Sequence, residues 1–331
     1  MGFVISRPSF DPRKNVPSLQ GRIAVVTGAD TGIGFETADQ LVAHGAKVYL
    51  ACVTEEKAKG AKERIELQRP NLRKTALVPV GVDLSSIPSI QSAAQAILSR
   101  ETKLDLLVNN AGRLASDYVL NEMGIEMSVA VNHVGPFVFT KALLPLLRAT
   151  AALPGNDVRI ISLSSASYEW AGAVDFTSVE GLNNPYASKG AVNAWSAKFR
   201  RYGATKLMII LFVRELQRRL DEEGVPITCM AVHPGQVGTA GCKEHIPFYL
   251  LPYAWLATLS PFQGAFTSLF AATSPQVFAQ RDQFAGRYLV PFGEVGKLTT
   301  KESQDAGLSA ALWKTTEALV KTASNTTMVL A

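Results

Sequence analysis

Short, wholly apolar runs alternate with longer amphipathic stretches along most of the chain. Arg22–Thr27 (RIAVVT) is apolar and ends at glycines, so it reads as a buried strand. Phe35–His44 has helical periodicity, and Gly45 supplies a stop. The same reasoning gives strands at Lys47–Cys52, Ala76–Val82, Leu104–Val108, Val158–Leu163 and Pro226–Val232. It gives helices at Glu55–Gln68, Ser89–Arg100 and about Lys198–Glu222. A long helix is expected from Met123 to Ala149, bent or cut at Pro136 and Pro145. Residues 1–20 carry Pro8, Pro12 and Pro17 without periodicity and read as an extended arm.

Strands separated by helices of this length imply a parallel sheet with helices on both faces. Strands covered on both sides should be apolar throughout rather than alternating, and these are. Neither linker, repeat nor low-complexity segment divides the chain. The expected architecture is α/β: a Rossmann-type, doubly wound parallel sheet in a single domain. Within it, 1–20 is the arm and 21–240 the dinucleotide-binding and catalytic core. Residues 241–331 form a lid and substrate wall and complete the same domain.

Composition narrows the function classes. Of 331 residues, 47% are apolar and 18% charged, an ordinary globular balance. The net charge of +5 is spread along the chain, whereas nucleic-acid binding needs clustering, so no nucleic-acid partner is expected. Cys52, Cys229 and Cys242 are odd in number and widely spaced, which fits neither a disulfide framework nor a metal site. That usage, without a signal-peptide pattern, points to a reducing, cytoplasmic location. Met1-Gly2 with Ser6 matches the loose myristoylation pattern, but bulky Phe3 follows the glycine. No run of apolar residues reaches transmembrane length. The apolar, aromatic stretch Ile246–Leu259 (IPFYLLPYAWLATL) leaves peripheral membrane contact and a homo-oligomer interface open, besides core packing and a substrate wall.

The chemistry starts at Thr27-Gly28-Ala29-Asp30-Thr31-Gly32-Ile33-Gly34, between the first strand and first helix. Glycines there allow a tight turn and close approach of a pyrophosphate, which the free N–H groups of the helix N-terminus can bind. Cofactor base is chosen at the end of the second strand. Val53 and Thr54 carry neither the acid that binds a ribose 2′-hydroxyl nor a base for a 2′-phosphate. Lys57 favours the phosphate and Asp30 opposes it, and NADP(H) is favoured over NAD(H). Asp83 is placed either to bind adenine or to cap the following helix, with Leu84 beside it.

At this point the chain resembles the short-chain dehydrogenase/reductase family. The resemblance rests on Thr27–Gly34 (TGADTGIG), Asn109–Gly112 (NNAG), Asn132 in VNHVGPF, Ser164-Ser165, a Tyr-x-x-x-Lys pair, and Pro234-Gly235 before Val237 and Thr239. Arg201–Leu220 and Ala231–Val237 are similar to the retinol-dehydrogenase-like branch and its fungal secondary-metabolism relatives, as is the tail with AATSP, GRYLVP and LWKTTEALV. This resemblance implies cofactor contacts at Gly28, Asp30, Thr31, Gly32, Ile33, Gly34, Val53, Thr54, Asp83, Leu84, Asn110, Ala111, Gly112, Pro234, Gly235, Val237 and Thr239, besides Tyr202 and Lys206.

Two tyrosines compete for the catalytic role. Tyr186 precedes Lys189 by three positions and lacks a directly following long helix. Tyr202 and Lys206 lie four apart, on one helical face. The ammonium can then lower the phenol's pKa for proton exchange with substrate. The resemblance further implies that Ser165 steadies the developing oxyanion, that Asn132 holds a relay water, and that Lys206 holds the nicotinamide ribose. Ser165 and Tyr202 lie further apart than in most members. The extra residues put Tyr186 near the substrate, with Phe248 and Tyr249 in the substrate wall. The activity implied is hydride transfer between NAD(P) and a carbonyl or alcohol of a hydrophobic, secondary-metabolite-like substrate. A C=N or C=C reductase on the same fold and a non-catalytic nucleotide-binding protein are the alternatives.

Overall fold

The computed structural model describes residues 10–188, 190–238 and 258–329, with side chains of the last helix through residue 323. Seven strands run parallel: β1 (Ile23–Thr27), β2 (Lys47–Cys52), β3 (Leu77–Gly81), β4 (Leu106–Asn109), β5 (Val158–Leu163), β6 (Ile227–Val232) and β7 (Tyr288–Val290). A short antiparallel strand, β8 (Glu294–Val295), ends the sheet, whose order is β3-β2-β1-β4-β5-β6-β7-β8. The direction of winding reverses between β1 and β4, where this architecture binds ligands beyond the carboxyl ends of the strands.

Helices cover both faces. One side carries α1 (Pro12–Asn15), α2 (Gly32–Ala43), α3 (Glu55–Gln68) and the helix Pro261–Thr273. The other carries α4 (Ile87–Leu98), α5 (Met127–Val129), α6 (Gly135–Ala151), α7 (Val179–Leu182), α8 (Trp195–Glu222) and the C-terminal helix Ala306–Val329. Two apolar cores, one per face, result. Val25, Tyr49 and Ile160 project into one core, and Ala24, Val48 and Ile161 into the other, the alternation that strand geometry imposes. Cys52 and Cys229 are buried strand residues.

The expected strands appear within a residue or two of their limits. The expected arm contains the α1 turn, and its Phe10 packs edge-on against Phe270 at 5.5 Å. The long helix expected from Met123 is instead α5, a wide π-turn at Ala130–Val134, and α6. Pro136 sits at the start of α6, where no N–H is needed, and Pro145 lies inside it. The stretch Met127–Ala151 is long and apolar enough to cross a membrane by length and composition. Its apolar residues, among them Phe137, Phe139, Leu143 and Leu147, are buried in the core.

Candidate active site

The turn after β1 is shaped by its glycines. Gly28 and Gly32 adopt φ of 63° and 57°, a region that favours glycine. A Cβ on Gly34 would overlap the Gly28 carbonyl and the Asn110 amide, so this helix start can approach the turn only as glycine. Thr31 is the N-cap of α2 and makes no side-chain cap, leaving the first N–H groups of the helix to another acceptor. Ile33 is buried beneath them.

The segment after β4 is bonded directly to this turn. Asn110 Nδ2 donates to the Thr27 carbonyl at 2.8 Å, and the Asn110 and Ala111 N–H groups donate to Thr27 Oγ1 at 3.0 and 2.9 Å. Asn110 and Ala111 therefore form one side of the cradle. A Cβ on Gly112 would lie 3.4 Å from Asn132 Oδ1 and 3.5 Å from Lys206 Nζ, so these three residues meet at one point.

Asn132 lies in the π-turn, and widened turns of this kind recur at functional sites. Its side chain is fixed three ways. Oδ1 accepts from Arg113 N at 2.6 Å, and Nδ2 donates to Arg113 O and Thr205 Oγ1, both at 2.9 Å. Lys206 is buried, and its Nζ donates to Leu163 O at 2.7 Å and lies 5.5 Å from the centre of the Tyr202 ring. Desolvation pulls the ammonium down to about 8. Ser165 begins the 3-10 helix Ala166–Trp170 and caps it through Ser167 N at 3.2 Å. Ser164 points elsewhere and donates to the Lys206 carbonyl at 2.8 Å, tying the end of β5 to α8.

At the far end, Val53 is 48% exposed and Thr54 Oγ1 accepts from Lys57 N, capping α3. The Asp83 carboxylate accepts from Ser85 N and Oγ at 2.8 and 2.7 Å, while Ser86 caps α4. Leu84 is buried against Gly135 at the head of α6. Gly235 adopts φ of 88° after Pro234, and Val237 bridges Leu259. Thr239, Phe248 and Tyr249 lie outside the described residues, as does Lys189. Tyr186 is half-buried in the loop before α8 with φ of 55°, and the Arg200 guanidinium lies 5.1 Å above its ring. Burial raises the Tyr186 phenol to about 12, the wrong direction for proton exchange at neutral pH.

Sequence reasoning passed over several residues. His233 accepts weakly from Ala166 N at 3.4 Å, beside Ser165, and burial lowers its imidazole to about 4. Its place beside Pro234-Gly235 was the available signal. Arg64 donates to the carbonyl of Asp30 and lies 4.5 Å over the Phe35 ring, which puts a cation from mid-α3 against the glycine turn. Its position ten residues into a charged helix gave no hint of that reach.

The model for short chain dehydrogenases matches residues 22–201. The chain is 42% identical over 307 residues to the short chain dehydrogenase/reductase dpchH of Colletotrichum higginsianum, covering 92% of this chain and 76% of that one. The chain belongs to the short-chain dehydrogenase/reductase family. Human retinol dehydrogenase 14 is 33% identical over 320 residues, covering 91% and 87%, so the likeness extends to the retinol-dehydrogenase-like branch. The solved structure of an uncharacterized protein from Mycobacterium paratuberculosis superposes with a TM-score of 0.69 at 28% identity, covering 94% and 97%. As a member of this family the chain is an oxidoreductase that binds a nicotinamide dinucleotide, and the cradle fits that group: its glycines leave room a Cβ would fill.

Proposed function

We propose that this protein interconverts a carbonyl and an alcohol on an apolar substrate, using NADP(H) in preference to NAD(H). The observation that carries the reading is the meeting of Lys206, Asn132 and Gly112, with the Lys206 ammonium 5.5 Å from the centre of the Tyr202 ring. Burying a lysine without a counter-charge costs stability, and no carboxylate is paired with this one in a described salt bridge, so its retention points to a role in the site.

The residues divide the work. Gly28, Gly32 and Gly34 would hold the pyrophosphate against the N-terminus of α2, with Asn110 and Ala111 beside it. The bound dinucleotide supplies or accepts hydride at its nicotinamide. Tyr202 hands a proton to the carbonyl oxygen in reduction and takes it back in oxidation. The Lys206 charge favours the tyrosinate and so eases that exchange. Ser165 hydrogen-bonds the oxygen as its charge grows. Asn132, locked by Arg113 and Thr205, holds the water that returns protons to Lys206. Lys57 and Arg64 supply positive charge near the base-selecting end, against the carboxylate of Asp30 and those of Glu55 and Glu56 in the first turn of α3.

The test uses purified protein with NADPH and NADH in parallel over a panel of apolar aldehydes and ketones. Tyr202→Phe should lose turnover by at least about a hundredfold, the usual share of general acid–base catalysis, with cofactor affinity unchanged. Full turnover in that variant, or loss only in Tyr186→Phe, would overturn the assignment. Equal use of the two cofactors would overturn the stated preference.

A further inference from the structure

Immediately before Tyr202 stands Arg201, which is 2% exposed. Among the described residues its guanidinium has no carboxylate at salt-bridge distance. Nη1 donates to the carbonyls of Pro185 and Val192 at 3.0 and 2.6 Å, and Nη2 to that of Ser116 at 2.9 Å. One side chain on the catalytic helix thus binds the backbone of two separate loops. The first follows β4 and leads to Asn132. The second is the enlarged loop between Ser165 and α8, which carries Tyr186. A planar cation with several fixed donors can serve three carbonyls that lie apart, two on one nitrogen and the third on the other.

Other bonds continue the seam. The Tyr118 ring lies 5.4 Å from the Arg201 guanidinium, its N–H donates to Asn193 Oδ1 at 2.7 Å, and its hydroxyl donates to Asn183 O at 2.8 Å. Asn183 in turn accepts from Glu126 N at 2.9 Å and donates to Gly124 O at 2.7 Å. Lys198 pairs with Asp117 at 2.5 Å. Both loops leave the carboxyl edge of the sheet, on which Tyr202 and Ser165 also lie, and Arg201 is the point where they share a partner.

We propose that Arg201 is a positioning residue that fastens both loops to the catalytic helix as one wall of the substrate pocket, so that the binding of an apolar carbonyl substrate, more than its turnover, depends on it. The second half rests on the carbonyl–alcohol reading; the first does not. Asn183 and Asn193 already tie the enlarged loop to the first, and Arg201 adds the anchor between them, at Pro185 and Val192. Without it those two carbonyls would lose their donor and the stretch that carries Tyr186 would vary. With Arg201 in place, Tyr186 is held in its left-handed conformation next to the anchored Pro185 carbonyl.

The experiment compares the intact wild-type protein with Arg201→Met and Arg201→Lys, the latter keeping charge but losing the fork. Hydrogen exchange should quicken roughly tenfold or more in residues 113–118 and 183–194, the effect of losing charge-assisted bonds to those carbonyls. Exchange in 207–220 and in β4 and β5 should stay as in wild type. Unchanged exchange in both loops, or equal quickening of α8, would overturn the anchoring. With NADPH, KM for decanal should rise about tenfold while kcat holds, with Arg201→Lys lying between. An unchanged KM, or a fall in kcat alone, would overturn the positioning role. Absence of turnover by the wild type would remove the carbonyl reading and the KM arm with it, while the exchange measurement still decides the anchoring.

Discussion

Lys206 shows how much one residue costs the fold for the sake of its site. Burial pulls the ammonium from 10.5 to about 8, so the folded state binds fewer protons than the unfolded chain between those values. Stability must then rise with pH across that window, and below about pH 8 the cost is complete. The hydrogen bond to Leu163 O offsets part of it. Lys206→Met should therefore be more stable than wild type at pH 7, by on the order of 1–3 kcal/mol. The advantage should fade by pH 10. Urea unfolding at both pH values checks this; a variant less stable at pH 7 would mean that the lysine is structural. NADPH affinity of the wild type should also weaken above about pH 8, as the ammonium proposed to hold the ribose loses its charge.

Among the elements, α8 and the 3-10 helix after β5 decide the geometry of the site, and Gly203 sets their separation. A Cβ there would lie 2.6 Å from Ser167 O and 3.0 Å from Ala171 N, with backbone on both sides. The 3-10 helix that Ser165 caps can pack this closely on α8 only because the residue after Tyr202 has no side chain. Glycine inside a helix costs about 1 kcal/mol relative to alanine, so on propensity alone Gly203→Ala should stabilise. The contact argues the reverse: the variant should lose on the order of 1–3 kcal/mol by overpacking, and turnover should fall more than cofactor binding. Thermal melts with NADPH titration separate the two, and a stabilised, active variant would refute the contact. The same elements show what was legible in the chain. Strands β1 to β6 were, because continuous apolar runs between turn residues have few other meanings. The π-turn was not: Pro136 signalled a break, yet the wide turn depends on Asn132 bonding to Arg113 far along the chain. β7, three residues long, is a strand only because β6 offers it an edge. Spacing and the long helix that follows favour Tyr202 over Tyr186, whereas nothing in the chain marks Arg201, whose three carbonyl partners come together only in the fold.

At the scale of the whole molecule, the cofactor cradle is built on the reversal point of the sheet, while the rear of the site rests on the C-terminal helix Ala306–Val329. Trp313 of that helix stacks on Phe212 of α8 with ring centres 5.9 Å apart, and meets Phe137 edge-on at 4.8 Å. Arg219 covers its outer face at 4.5 Å. Three residues on, Thr316 Oγ1 bonds His133 Nε2 at 2.8 Å, and His133 adjoins Asn132 in the π-turn. Burial holds that imidazole neutral, down to about 3, so the bond does not switch in the neutral range. The tail therefore braces α8 and the π-turn from behind, on the face opposite α2. Trp313→Ala should cost about 3–5 kcal/mol, the usual loss for a buried aromatic. The glycine turn touches none of these residues, so NADPH should bind the folded variant with wild-type affinity and raise its unfolding free energy as much as it does for wild type, by about 2.7 kcal/mol at a hundredfold excess over Kd. A melt with and without NADPH reads both numbers. A smaller gain for the variant would show that the C-terminal helix and the cofactor cradle are energetically coupled through the sheet, instead of bracing separate halves of one site.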